Sequence, residues 1–203
     1  MIREQYRKVM ALFYDPFMEG LEKSLGRHRR FLLEKTGGKV LEVGAGTGVN
    51  FNYYPSGVEV FAVEPSVPMF KRARKRALGK KHIRLYNIGI EQVPDHPDFP
   101  KKFDFIVSML VLCTVKDLKK TIDIYARLLK PQGKLLVLEH IHSEGTLYGK
   151  LQKWINPVWR PFADGCNLTR RQDLALKEAG FIPETEHYFR LGTDWYRAIM
   201  TLP

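Results

Sequence analysis

An α/β fold, with a mostly parallel sheet and helices on both faces, is what this sequence predicts, on three observations. A short apolar run, Val40, Leu41 and Val43, breaks abruptly into Gly44, Gly46 and Gly48. Glycines at alternate positions let the backbone turn tightly and approach a ligand at distances any Cβ would block. A second apolar run, Val58 to Val63, ends on the acid Glu64, at the place where an α/β sheet hydrogen-bonds a ribose about 20 residues past its glycines. The length, 203 residues, suits a single α/β domain spanning 1–203 and is ample for a full core.

Composition narrows the class. Two cysteines, Cys113 and Cys166, argue against a disulfide scaffold and fit a reducing compartment. No apolar run reaches the roughly 18 residues that span a bilayer, and the first residues lack a signal-peptide core. A cytoplasmic protein is expected. The 33 Lys and Arg against 22 Asp and Glu give a net charge of +11, which favours anionic partners or surfaces. Arg27 to Arg30 and Lys71 to Arg76 supply much of it, and either cluster also reads as a solvated face. No stacking aromatics accompany the charge, so a nucleic-acid partner is not expected.

The glycine spacing identifies the ligand class. A phosphate-binding Rossmann turn reads G-x-G-x-x-G, and a P-loop needs Gly-Lys-Ser/Thr; this chain has G-x-G-x-G with Glu42 two residues ahead. An acid there repels a pyrophosphate and suits a cation. The stretch Glu42 to Gly48 resembles motif I of the class I S-adenosylmethionine (SAM)-dependent methyltransferases, with Glu64 as the second piece of the pattern. The resemblance implies a Rossmann-like, seven-stranded, mostly parallel sheet with an antiparallel C-terminal hairpin, and SAM as cofactor with S-adenosylhomocysteine as product. It places Glu42 near the cofactor's amino group, Gly44, Gly46 and Gly48 beneath it and Glu64 at the ribose, with Asn50, Pro65 and Ser66 also counted as cofactor-binding.

The elements follow in order. Residues 1–35 read as helix, because Ile2, Tyr6, Val9, Met10, Phe13, Phe17, Leu21 and Leu25 recur at three- and four-residue intervals. Pro16 breaks it at Tyr14-Asp15. This segment is a lid bringing Tyr14 to the cofactor, as in related methyltransferases, a helix capping the sheet, or a helix resting on an anionic membrane surface. A helix start is expected after the glycines, and a basic helix from Ser66 to about Ala77 after the second strand. His82 to Ile88 reads as strand three. The next segment, Gly89 to Pro94, resembles the family's adenine-flanking stretch, with Gly89 where many relatives carry Asp. That leaves Ile90 as an apolar wall and Glu91 or a backbone group as the polar contact. Phe103 to Met109 is a strong fourth strand whose end, from Ser108, is expected to line the reaction site. A helix over Asp117 to Leu129, a turn at Lys130 to Gly133 and strand five at Lys134 to Glu139 follow. The last two strands lie near Pro183 to Phe189 and Tyr196 to Leu202.

The segment 140–171 does not fit a sheet. It carries Tyr148, Trp154, Trp159 and Phe162, which suggests an aromatic pocket for a small lipophilic acceptor. Three phrases, Leu110 to Val115, Glu139-His140, and Pro157-x-Trp159 with Asp164 to Arg170, resemble the microsomal alkyl-thiol S-methyltransferases and their prokaryotic relatives. A thiol acceptor is therefore preferred. A phospholipid or quinone methyltransferase working at a membrane surface and a non-catalytic SAM-binding module are the rivals. Methyl transfer from a sulfonium is an in-line displacement, so orientation is the protein's main contribution. A thiol needs little base catalysis, whereas an amine or phenol benefits from a base of pKa near 7. His140 is the best-placed base, Asp164 the second and His142 the third, although His140 reads equally as a histidine satisfied by a neighbouring backbone group. Cys113 and Cys166 read as packing cysteines, since direct displacement needs no protein nucleophile. No Cys/His/Asp cluster has metal-ligand spacing, so no metal is expected. Oligomeric state leaves no trace in the sequence.

Overall fold

The computed structural model of the chain describes residues 24–203, apart from Asp164 and the side chain of Phe162. Most of the expected N-terminal lid or cap, including Tyr14 and the break at Pro16, lies outside the described residues. Residues 24–33 are helical (α1) and bury Leu25, His28, Arg29, Leu32 and Leu33, one face of a 3.6-residue period.

Seven strands form one mixed sheet: β1 (Lys39–Val43), β2 (Glu59–Val63), β3 (Ile83–Tyr86), β4 (Phe103–Met109), β5 (Leu129–Ile141), β6 (Ile182–Leu191) and β7 (Thr193–Thr201). Their order is β3-β2-β1-β4-β5-β7-β6, the Rossmann-like arrangement expected, with β6 and β7 antiparallel at the C-terminal end. The chain divides into two compact units, one ending at Phe105 and the other running from Ile106 to Pro203.

In the first unit β1 pairs parallel with β2, and β2 with β3, so that Val43 stands opposite Val63. Val40, Leu41, Val60, Ala62 and Val63 have no exposed surface, as strands covered on both faces require. α2 (Val67–Arg76) packs against β3 and against a 3-10 turn, Val49–Asn52. The helix start expected after the glycines is this one 3-10 turn. Pro55, lacking an N–H, and Gly57, in the left-handed region at φ 97°, send the chain straight into β2.

In the second unit α3 (Leu118–Leu128) starts from Asp117, whose side chain accepts from the Lys120 amide at 2.9 Å. α3 and α5 (Gln172–Glu178) pack on each other and on β5. β5 pairs antiparallel with β7 from Lys134 onward, and β7 with β6. The turn expected at Lys130 to Gly133 is instead a bend inside β5. Gln132 takes φ 62°, and a Cβ at Gly133 would lie 2.9 Å from the Lys130 carbonyl oxygen. His140 and Ile141 complete β5, so the irregular segment begins later than expected. Most of it is one helix, α4 (Leu147–Phe162), capped by Thr146 and continuing through Pro157 and Pro161. Leu147, Leu151, Trp154 and Val158 form an exposed stripe along it. Among the described residues no helix is long and apolar enough to cross a membrane.

Candidate functional site

The glycine turn of the first unit is built by hydrogen bonds between the carboxyl ends of β1 and β2. The Ala45 amide donates to the Val63 carbonyl at 3.0 Å. Glu64 then spans two segments: Oε2 accepts from the Gly46 amide at 2.8 Å, and Oε1 from the Ser66 amide at 2.7 Å. Gly44, Gly46 and Gly48 all have positive φ, at 63°, 59° and 83°. They differ in what surrounds them. A Cβ at Gly48 would lie 2.7 Å from the Phe51 ring, which locks the turn onto its own helix side. At Gly46 the nearest atom would be 4.0 Å away, so this glycine presents bare backbone to an open surface. Arg76 reaches from α2 to the Thr47 carbonyl at 2.9 Å and closes the turn from behind.

Glu42, expected near a cofactor amino group, is anchored at the end of β1 by its own partners. It is 1% exposed, with Oε1 accepting from Asn50 at 2.9 Å and Oε2 from the Tyr54 hydroxyl at 2.9 Å. Arg29 donates to Asn50 Oδ1 at 2.6 Å, so one member of the basic cluster enters the core to complete this network. Burial raises the Glu42 carboxyl from 4.5 to about 7, against the hydrogen bonds of Tyr54 and Asn50 and the charge of Arg29. Glu42 and Asn50 thus hold the glycine turn from inside. Of the other residues assigned to the cofactor, Pro65 is exposed and Ser66 leads into α2. Ile90 is buried in a second 3-10 turn, Ile90–Asp95, and Glu91 is exposed beside it. Ser108 has no exposed surface, and its hydroxyl accepts from the Tyr125 hydroxyl of α3 at 3.1 Å.

The second unit assembles a cluster that sequence spacing concealed. After β4 the chain turns at Leu110, a non-glycine residue held at φ 61°. Glu139, fully buried on β5, fixes that turn: its Oε1 accepts from the amides of Val111 at 2.7 Å and Leu112 at 2.8 Å. The Cys113 carbonyl accepts from the Asn167 amide at 2.8 Å, and Arg170 donates to the Leu112 carbonyl at 2.7 Å. These bonds zip the 165–170 loop to the 111–114 turn. A Cβ at Gly165 would come within 3.1 Å of the Thr114 carbonyl oxygen, so a side chain there would force the two apart. The result brings Cys113 Sγ, a His140 ring nitrogen and Cys166 Sγ within 4.8 Å of one another. His140 Nε2 lies 3.1 Å from Cys166 Sγ, while the ring meets Trp195 edge-on at 6.1 Å.

The electrostatics separate the two thiols. Hydrogen bonding from Cys113 and from His140, with the imidazolium charge, lowers the Cys166 thiol despite its burial. The bond to Cys166, burial and the Glu139 charge push Cys113 up. Burial depresses His140, but the bond to Cys166 and the charges of Cys166 and Glu139 outweigh it and raise the ring's pKa. His140 therefore faces a thiol, where a backbone group was the alternative. His142 is occupied elsewhere: Nδ1 lies 3.0 Å from Gln152 Oε1, which also accepts from the Ser143 amide. Asp164 lies outside the described residues. Trp154 is 79% exposed on α4 and does not contribute to an aromatic pocket, whereas the Trp159 side chain hydrogen-bonds Cys166. The available signal was that each phrase resembling the thiol methyltransferases carries a Cys or His. Positions 113, 140 and 166 are too far apart for any ligand-spacing template.

Parallel strands ending in a bare glycine turn, braced by the acid of the next strand, define an α/β domain built to hold a nucleoside at its strand ends. The chain belongs to the methyltransferase domain family, whose sequence profile matches residues 17–185. It is 33% identical to human thiol S-methyltransferase TMT1A over 158 residues, which are 77% of this chain and 65% of that protein. It is 27% identical to a phosphatidylethanolamine N-methyltransferase of Cereibacter sphaeroides over 63% of each chain. The chain thus spans just under two thirds of the length of these curated relatives. The N-methyltransferase NodS of Bradyrhizobium japonicum, solved with S-adenosyl-L-homocysteine, shares the fold at TM-score 0.68 and 17% identity, over 90% of this chain and 87% of that one.

Proposed function

We propose that this chain transfers a methyl group from SAM to a small lipophilic thiol. The carrying observation is Glu64, whose two oxygens are held by the Gly46 and Ser66 amides at the end of β2, the position from which an acid hydrogen-bonds ribose hydroxyls. The residues fit the cofactor: Gly46 offers backbone with no Cβ, and no lysine waits for a phosphate. When bound, SAM would supply an electrophilic methyl on a sulfonium, open to in-line attack by a thiolate with S-adenosylhomocysteine as the leaving group. What the chain contributes is a rigid turn, stiffened by Arg76 behind it and by Glu42 and Asn50 within, which orients the cofactor before reaction.

Thiol preference draws on the 33% identity to a thiol S-methyltransferase. A second reading, a membrane-lipid acceptor, is favoured by the exposed Leu147, Leu151, Trp154 and Val158 stripe with Lys150 and Lys153 beside it. Labelled SAM offered with a panel of alkyl thiols, amines, phenols and phospholipid vesicles, with products identified by mass, decides between them. Methyl thioethers as the dominant product are expected. Label only in lipid headgroups replaces the thiol reading with the membrane one. Cofactor binding with no labelled product of any class removes both.

A further inference from the structure

Resting on that reading, we propose that Cys113, His140 and Cys166 form a zinc site whose fourth position takes the acceptor thiol. Three soft or borderline donors converge from three separate segments: the turn after β4, the end of β5 and the 165–170 loop. Their ligand atoms lie within 4.8 Å of one another, and His140 Nε2 is 3.1 Å from Cys166 Sγ. Tetrahedral zinc, with bonds near 2.3 Å to sulfur and 2.0–2.1 Å to nitrogen, sets its ligand atoms about 3.5–3.8 Å apart. Small side-chain adjustments convert one arrangement into the other.

Two thiolates and one imidazole suit zinc above magnesium, calcium or manganese, which take oxygen ligands. Among the described residues no fourth Cys, His, Asp or Glu joins the group, so the set has the three-ligand composition of an open zinc site, not the four of a structural one. Cys113 and His140 are buried, and Cys166 is only half-buried, which leaves approach from the Cys166 side. The scaffold is stiff where it must be. Glu139 pins the turn that carries Cys113 through the Val111 and Leu112 amides, and Asn167, next to Cys166, donates to the Cys113 carbonyl.

The chemistry balances without another reagent. The acceptor thiol releases its proton to solvent on binding the metal as thiolate. Its sulfur forms a bond to the methyl carbon as the carbon–sulfonium bond breaks, and the electron pair of that bond returns to the departing sulfur. Two neutral thioethers result, and the methylated one, a weak ligand, leaves the metal.

The test loads the whole chain, purified under reducing conditions, with zinc for metal analysis and with cobalt(II) for absorption spectra. One equivalent of zinc retained through desalting is expected. So are tetrahedral cobalt bands with sulfur charge transfer, which change when an alkyl thiol is added. Cys166→Ser, at a half-buried position, should weaken metal binding roughly a hundredfold or more while the fold persists by circular dichroism. His140→Asn should do the same. Folded wild-type protein that takes up no stoichiometric metal, metal retention unchanged in Cys166→Ser, or cobalt bands indifferent to thiol would each overturn the proposal. Undiminished thiol methylation by metal-free protein under chelation overturns it while leaving the methyltransferase reading intact. A metal-loaded chain whose cobalt bands answer to thiol, yet which methylates nothing, sinks the proposed function instead.

Discussion

The glycine turn of the first unit and the thiol–imidazole cluster of the second are built on opposite plans. The turn draws nearly everything from residues 42–66: two strand ends, three glycines, and an acid whose carboxylate is held by amides two residues away and eighteen away. The cluster draws on positions 113, 140 and 166, and is held by bonds that cross between segments, from Glu139 to Val111 and Leu112 and from Asn167 to Cys113. Each region nevertheless rests on one fully buried carboxyl, Glu42 or Glu139, that burial raises to about 7. A site whose parts are close in sequence announces itself by spacing. One assembled by long-range bonds shows only the residue types.

The contrast can be broken most forcefully at Glu139. Glu139→Ala strands two buried amides, each worth about 1–3 kcal/mol, so a loss of about 2–6 kcal/mol in denaturant titration is expected. Glu139→Gln keeps an oxygen for both amides and should recover most of it. Equal losses for the two variants would mean that charge, not the pair of amide bonds, holds the Leu110 turn.

The pH dependence sharpens the same comparison. The folded-state pKa of Glu42, about 7, exceeds its ordinary value of 4.5. The stability this gives is complete below pH 4.5 and is lost as pH rises through about 7, up to about 3 kcal/mol. Glu139, raised the same way, adds a slope of the same sign. Melting temperature measured from pH 4 to 8 should therefore fall more steeply in wild type than in Glu42→Gln. Parallel curves would place the Glu42 carboxylate in a far less costly setting than its network of Asn50 and Tyr54 implies.

The smallest effect belongs to the turn itself. Glu64→Ala should weaken SAM binding ten- to a hundredfold by calorimetry, from the loss of charge-assisted bonds worth about 1.5–3 kcal/mol. Unchanged affinity would separate the glycine turn from cofactor binding altogether.

The inner strands were legible because they are largely buried and read as short apolar stretches; β4 matches its expected bounds of Phe103 to Met109. The position of Glu64 at the end of β2 was legible because it closes an apolar run. The partner of Ser108 was not legible, because the Tyr125 hydroxyl that reaches it comes from α3, 17 residues on. The bend at Gln132 looked like a turn because Lys-Pro-Gln-Gly has turn chemistry, yet β5 absorbs it. The cysteines read as packing residues because each, taken alone, is a small apolar side chain. Only the loop bonds that bring Cys166 to Cys113 give them a joint chemistry.

β6 has a further consequence for how copies of the chain meet. As the outermost strand of its unit it offers unpaired backbone groups, the usual template for sheet-to-sheet growth. Pro183 withholds an N–H, the register shifts between Pro183 and Thr185, and Glu184, Glu186 and Arg190 project along its length. A second molecule approaching that margin meets charge and an irregular backbone, so self-templated stacking through it is discouraged even at high concentration.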